Sequence, residues 1–145
     1  MRFKVPGYLL DANVLIALAW PEHIAHDRAR RWFSHHAHRG WATCPMTQAA
    51  LARILSNPGF SPHALTPGDA LEVLVRNVGL PGHEFWADSI DLRQALTQMP
   101  TALTGHQQIT DAYLVALAIK NRGKLATLDR SILRFAPAEA VELLA

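Results

Sequence analysis

The sequence is poor in cysteine, in charge and in long apolar runs, and each shortage excludes a class of protein. Cys44 is the single cysteine among 145 residues, which excludes an internal disulfide and a cysteine-rich zinc site and favours a reducing cytoplasm. Charged residues make up 18% and the formal net charge is +2, so a nucleic-acid partner is permitted but not required. The apolar run over residues 8–20 is interrupted by Asp11 and is too short to span a membrane.

Signal peptides, internal repeats and low-complexity linkers are also missing from the pattern. Residues 1–7 have no long apolar core followed by a cleavage site, so no signal peptide is expected. Half of the 145 residues are hydrophobic, which is enough for one sizeable core. We therefore expect a single domain over residues 1–145, located in the cytoplasm and without a membrane partner.

What the sequence does contain is an alternation of short apolar segments and amphipathic stretches. The spacing predicts strands over residues 8–10, 41–44, 83–86 and 124–127, and helices starting near residue 13 and over residues 26–39, 47–55, 66–78, 91–98 and 109–119. Glycine or proline ends most of these segments. The alternation favours an α/β domain in which helices flank a central, mainly parallel sheet.

The first apolar segment contains an acid. Residues 8–20 are almost wholly apolar, as in a segment that is covered on both faces, yet they include Asp11. A strand that ends at Leu10 would deliver Asp11 to the carboxyl edge of a parallel sheet, where ligands bind. Alternatively, Asp11 only caps the helix that begins near Asn13. This stretch alone favours neither interpretation.

Two further acids stand in comparable positions. Asp111 is the sole charge between Ile109 and Ile119, where it either belongs to a site or complements the helix dipole. Asp129 follows the predicted strand over residues 124–127, much as Asp11 follows the first strand. Carboxylates that converge at one sheet edge repel each other unless a cation lies between them, and Mg²⁺ prefers such oxygen ligands. The residues therefore suggest metal-dependent phosphoester hydrolysis.

Four blocks in this order resemble the PIN-domain family, specifically the VapC-like ribonuclease toxins of toxin–antitoxin pairs. They are residues 9–18 (LLDANVLIAL), 41–48 (WATCPMTQ) with 53–56 (RILS), 110–114 (TDAYL) and 125–129 (LATLD). The resemblance implies a three-layer domain whose acidic site lies at the carboxyl edge of its sheet. It also implies RNA cleavage with Mg²⁺ or Mn²⁺, silencing by a cognate VapB-like antitoxin, and a homodimer.

The resemblance also implies roles for individual residues. Asp11, Asp111 and Asp129 match the acids that bind the metal in the family. Gln48 matches an acid on the third helix, and Thr127 matches a polar residue that supports the last acid. These five side chains form the predicted catalytic set.

The predicted contacts with RNA lie around the same motifs. Asn13 is expected to orient Asp11, and it joins His106 and Arg130 in the predicted substrate-binding set. Residues 106–135 hold five basic and two acidic side chains, a net charge of +3. We expect this basic excess close to the site, where it suits an anionic substrate.

One position departs from the family pattern and leaves a second function open. The family usually has Glu where this chain has Gln48, so the site lacks one negative charge and should hold a cation less tightly. An amide oxygen can still ligate a metal or position water, which makes a variant nuclease the main hypothesis. The alternative is a PIN-like module that binds RNA or a partner protein with weak or no nuclease activity.

Overall fold

The first strand shows why the opening segment of the sequence is so apolar. The computed structural model describes residues 7–145, and β1 spans Tyr8–Leu10. Leu9 packs on one side of β1, whereas Tyr8 and Leu10 pack on the other, and all three are buried. A strand covered on both faces has no polar face, which explains the run. The signal-peptide expectation rests on residues 1–7, of which residues 1–6 lie outside the described residues.

Within residues 7–145, five parallel strands form one sheet in the order β3-β2-β1-β4-β5. Their bounds are Tyr8–Leu10 for β1, Trp41–Thr43 for β2, His83–Phe85 for β3, Lys124–Thr127 for β4 and Val141–Leu143 for β5. Leu9 aligns with Ala42 of β2 and with Leu125 of β4, so the three central strands end at one edge. The expected parallel sheet is confirmed.

Helices form the two outer layers. Their bounds are Ala12–Ala19 for α1, His26–His36 for α2, Pro45–Leu55 for α3, Pro67–Val78 for α4, Leu92–Thr97 for α5 and Gln108–Lys120 for α6. Helices α1 to α4 pack on the face that includes Leu10, and α5 and α6 pack on the face that includes Leu9. The three-layer architecture is therefore confirmed. No helix within residues 7–145 is long and apolar enough to cross a membrane.

Several local predictions differ from the structure, including the helix predicted over residues 47–55, which starts at Pro45. The helix predicted over residues 26–39 ends at His36, and a 3₁₀ turn over Ala37–Arg39 leads into Gly40, whose φ of 97° suits glycine. The buried helix predicted from Ile109 starts at Gln108, and Ile109 itself is 39% exposed. Strand β5 was not predicted: residues 138–145 are rich in Ala, Glu and Leu, which favour helices, so no strand pattern stands out there.

The basic excess of residues 106–135 is divided between the two ends of the sheet. A short turn over residues 121–123 reverses the chain between α6 and β4, so Lys120, Arg122 and Lys124 lie at the amino edge. Arg130 and Arg134 follow the carboxyl end of β4. The prediction that the whole excess lies close to the carboxyl edge is therefore wrong.

Candidate active site

Asp11 lies directly after β1 with 7% of its surface exposed. Its backbone N–H donates to the carbonyl of Ala126 in β4 at 2.9 Å, which ties the residue to the neighbouring strand. The carboxylate oxygen Oδ1 accepts from the N–H of Ala12 at 2.7 Å, and Oδ2 accepts from the hydroxyl of Thr127 at 2.8 Å. Asp11 therefore caps α1 and also lies at the sheet edge, so the two interpretations of the sequence are compatible.

Thr127 and Asn13 connect Asp11 with the end of β4. The fully buried Thr127 gives its one hydroxyl hydrogen to Asp11, which leaves its oxygen free to accept. That oxygen accepts from Asn13 Nδ2 at 3.1 Å and from the backbone N–H of Asp129 at 3.0 Å. The amide oxygen of Asn13 accepts from the N–H of Leu128 at 3.1 Å. The network fixes Asp11 relative to the backbone of Asp129, and both ends of the Asn13 amide are used within the chain.

Asp129 presents a half-buried carboxylate just after β4. Its Oδ1 accepts from the N–H of Ser131 at 2.9 Å and from the Ser131 hydroxyl at 2.6 Å. No residue within the described part of the chain donates to its Oδ2. Ser131 was not among the predicted site residues, although a serine two residues after an aspartate is a recognisable turn pattern.

Asp111 brings a third carboxylate to this edge from the first turn of α6. It is half-buried, and nothing in the part of the chain that the structure describes donates a hydrogen bond to its carboxylate. Burial, followed by the charges of Asp11 and Asp129, raises the pKa of Asp111 from 3.8 to about 6. Burial also raises the pKa of Asp11, and the bonds from Thr127 and Ala12 oppose that rise. The three acids are thus electrostatically coupled.

These acids have the donor chemistry that Mg²⁺ or Mn²⁺ prefers. They supply oxygen ligands, and their mutual repulsion would be relieved by a cation between them. No three His, Cys, Asp or Glu side chains of residues 7–145 enclose an ion by themselves. Mg²⁺ is commonly held by one or two carboxylates, with water and substrate phosphates in the other positions. The residues therefore fit an open site of that kind.

Gln48 lies near the amino end of α3, on the part of the edge formed by β2. Its Nε2 donates to the hydroxyl of Thr43 at 2.9 Å. The same hydroxyl lies 2.8 Å from Nε2 of His83, the first residue of β3. Neither Thr43 nor His83 was among the predicted site residues, since a threonine in a strand and a histidine 40 residues away carry no shared local pattern. Gln48 itself adds no charge to this half of the edge.

Two members of the predicted substrate-binding set are exposed. His106 precedes α6, and Arg130 directly follows Asp129. Within residues 7–145, neither side chain forms a hydrogen bond or an ion pair with Asp11, Asp111 or Asp129. Contact of His106 and Arg130 with RNA stays a prediction.

Comparison with known proteins gives a consistent picture for the chain. The model of the PIN domain family matches residues 8–137. Ribonuclease VapC39 of Mycobacterium tuberculosis is 41% identical over 136 residues, which cover 94% of this chain and 98% of the relative. Ribonuclease VapC38 of the same organism is 42% identical over 139 residues, which cover 94% and 96% of the two chains.

Two solved structures share the fold at low sequence identity. VapBC2 from Rickettsia felis, bound to a DNA fragment from its promoter, gives a TM-score of 0.65 at 16% identity and covers 95% of this chain and 98% of that chain. VapC20 of Mycobacterium tuberculosis, described as a sarcin-ricin loop cleaving toxin, gives a TM-score of 0.61 at 16% identity, with coverage of 90% and 97%. Likeness at this identity supports the fold alone.

Proposed function

This chain belongs to the PIN domain family, among the VapC ribonucleases, and from that membership we propose that it is a Mg²⁺- or Mn²⁺-dependent endoribonuclease toxin. The observation that carries the proposal is the meeting of Asp11, Asp111 and Asp129 at one sheet edge, where burial, followed by the charges of Asp11 and Asp129, raises the pKa of Asp111 to about 6. Such a site repels an RNA phosphate unless a cation offsets its charge.

In this proposal, each acid is assigned a place around the metal. Asp11 and Asp111 are direct ligands, and Asp129 is a ligand either directly or through water. A metal held there would polarise a phosphoryl oxygen and lower the pKa of a water molecule. Thr127 supports this arrangement, because its hydroxyl orients Asp11 while its oxygen holds the N–H of Asp129. Asn13 also supports the arrangement, because its Nδ2 donates to the Thr127 oxygen and its Oδ1 accepts from the backbone N–H of Leu128.

The remaining predicted residues are assigned to water and RNA. The amide oxygen of Gln48 orients water without adding charge to the acidic edge. Arg130, exposed beside Asp129, contacts an RNA phosphate, and His106 contacts RNA at the amino end of α6. Phosphate contacts of this kind position the strand without selecting its sequence.

The proposed partners follow from the similarity of this chain to known proteins. The curated relatives are VapC ribonucleases, and one structural neighbour is a VapBC complex. We propose that a VapB-like antitoxin silences this chain and that the chain acts in the cytoplasm as a homodimer. Residues 1–145 would form a single domain.

Cleavage of a mixed-sequence single-stranded RNA tests the enzyme proposal. Purified protein is assayed with Mg²⁺, with Mn²⁺ and with chelator, beside Asp111→Asn and Asp69→Asn. Asp69 is a matched control, since it is an exposed acid in the first turn of α4. We expect metal-dependent cleavage by the wild type and Asp69→Asn and none by Asp111→Asn. A folded Asp111→Asn protein that cuts at the wild-type rate would contradict the assignment.

The neutral Gln48 is the observation that favours the alternative, a module that binds RNA or a partner protein without cutting. Gln48→Glu restores the missing charge, and Mn²⁺ titration measures its effect on metal affinity. Tighter metal binding with no cleavage by either form would favour the binding module. Cleavage by both forms would favour the nuclease.

A further inference from the structure

Thr43 and His83 form a hydrogen-bonded chain with Gln48, and within residues 7–145 neither forms a hydrogen bond with any of the three carboxylates. We infer that these two are positioning residues that hold the Gln48 carboxamide with its nitrogen toward β2 and its oxygen free to accept from water or substrate. The effect of this positioning on catalysis rests on the proposed nuclease function. The hydrogen positions that the positioning requires can be measured without an assay of RNA cleavage.

The count of hydrogens sets the direction of this relay. The Thr43 oxygen accepts from Gln48 Nε2 at 2.9 Å and lies 2.8 Å from His83 Nε2. Thr43 is fully buried, so water offers no other partner to its hydroxyl. Its one hydrogen therefore goes to His83 Nε2, which must be the unprotonated ring nitrogen, with the ring hydrogen on Nδ1.

The surroundings of His83 suit an accepting ring. The ring packs against that of Trp41, with 4.7 Å between the ring centroids, and β2 and β3 align the two residues. Burial lowers the pKa of His83 below 6.5, although the charge of Glu84 opposes that change. The ring is therefore neutral at neutral pH and is able to accept from the Thr43 hydroxyl.

The relay decides which end of the Gln48 amide is available to a ligand. Gln48 Nε2 is engaged by Thr43, and no described residue donates to Gln48 Oε1. An unrestrained carboxamide can flip so that its nitrogen and oxygen exchange places. The nitrogen, a donor, would then face a ligand that needs an acceptor. Because Thr43 gives its one hydrogen to His83, it can only accept from Gln48. The Gln48 nitrogen therefore stays toward Thr43, and the Gln48 oxygen stays available to a ligand.

A carboxylate at residue 48 should reverse the relay. It cannot donate, so in Gln48→Glu the Thr43 hydroxyl must donate to the carboxylate and accept from His83. The ring hydrogen of His83 would then move from Nδ1 to Nε2. A purely structural role of Thr43 and His83 predicts no such change.

Nitrogen NMR of protein labelled in its histidine rings reports the tautomer of His83 directly. Comparison with His83→Phe identifies the His83 signals. We expect the Nδ1–H tautomer of His83 in the wild type and the Nε2–H tautomer in Gln48→Glu. An Nε2–H tautomer in the wild type, or an unchanged tautomer in Gln48→Glu, would overturn the inference. This result does not depend on whether the protein cuts RNA, so it separates failure of the relay from failure of the nuclease proposal.

A double-mutant cycle tests the catalytic consequence. Thr43→Val removes the hydroxyl at nearly constant size, and Thr43→Ser keeps it. We expect Thr43→Val to lower kcat about tenfold, within the ~100-fold that a 1 Å misplacement can cost, and Thr43→Ser to recover most of that loss. In a Gln48→Ala background Thr43→Val should have no further effect, because no amide is left to orient. A tenfold loss there as well would show that Thr43 acts without Gln48 and would overturn the inference.

Discussion

The carboxyl edge of the sheet has two halves with opposite chemistry. On the side of β1, β4 and α6, three carboxylates repel one another, whereas the side of β2, β3 and α3 carries the neutral Gln48. Each half depends on a fully buried threonine at the end of a strand, Thr127 in β4 and Thr43 in β2. Thr127 donates to an acid, whereas Thr43 accepts from an amide.

The comparison gives a physical reason for a neutral residue at position 48. Burial, followed by repulsion from Asp11 and Asp129, already raises the pKa of Asp111 to about 6 in the absence of metal. A fourth carboxylate would add to this repulsion and would also tighten the hold on a cation. In the proposed site, Gln48 would keep an oxygen acceptor at the edge without adding to that repulsion, so one half would supply charge and the other orientation.

The largest effect is expected from removing a charge in the acidic half. Asp11→Asn keeps the size of the side chain but replaces one ligand oxygen by an NH₂ group. We expect cleavage to fall by more than ~100-fold, beyond the ~10–100-fold typical of groups that only orient ligands. Single-turnover RNA cleavage measures the loss, and circular dichroism checks the fold. Wild-type cleavage by the folded variant would remove Asp11 from the site.

Thr127→Val should rank second and should exceed the effect of Thr43→Val in the neutral half. It leaves Asp11 without its hydroxyl donor and leaves two N–H groups, of Asn13 and Asp129, without their acceptor. We expect ~10–100-fold slower cleavage and a loss of ~1–3 kcal/mol in the free energy of unfolding. Denaturant unfolding and cleavage rates test both values. If Thr127→Ser proved as damaging as Thr127→Val, the hydroxyl would not be the cause.

The third-largest expected effect is a change in stability with pH. It should arise in the acidic half, from Asp111. Asp111 has a folded-state pKa of about 6 against 3.8 for an ordinary Asp, so the folded state binds the extra proton. Metal-free stability therefore falls as pH rises from about 4 to about 6 and stays lower above that range. We expect the Tm of Asp111→Asn to exceed that of the wild type by a growing margin across this interval.

Thermal unfolding with chelator at several pH values measures that margin, with Asp69→Asn as the control. Added Mn²⁺ should raise the Tm of the wild type more than that of Asp111→Asn, because binding to the folded state stabilises it. Parallel pH curves for the wild type and Asp111→Asn would show that Asp111 does not carry the shifted pKa.

The smallest effect is expected at the exposed end of the acidic half. Ser131→Ala removes the hydroxyl that donates to Asp129 at 2.6 Å but keeps the backbone N–H that donates to the same oxygen. Water can replace a hydroxyl at an exposed position, so the net loss should be about 1 kcal/mol or less. We expect cleavage to fall only a few-fold. A loss as large as that of Thr127→Val would place Ser131 among the essential groups.

The sequence by itself determined the layered architecture and the position of two acids. The apolar strands over residues 8–10 and 124–127, each followed by an aspartate, place Asp11 and Asp129 at the carboxyl edge, because parallel strands end together. A buried strand is a short continuous apolar run and an amphipathic helix repeats every 3.6 residues, and patterns of that range are visible in a single sequence. For Asp111 the residues left a site and a helix-dipole role open, and the resemblance to a family favoured the site and added Gln48 to the same edge.

Only the tertiary structure decided the partners of these side chains. Thr127 is 116 residues from Asp11 in the chain, and His83 is 40 residues from Thr43. The packing of the strands brings each pair within hydrogen-bond distance. The same packing places Lys120, Arg122 and Lys124 at the amino edge of the sheet, opposite the acids. Short periodic patterns report burial, but a hydrogen bond between distant residues depends on strand order and on the direction of each connecting helix, which no local pattern contains.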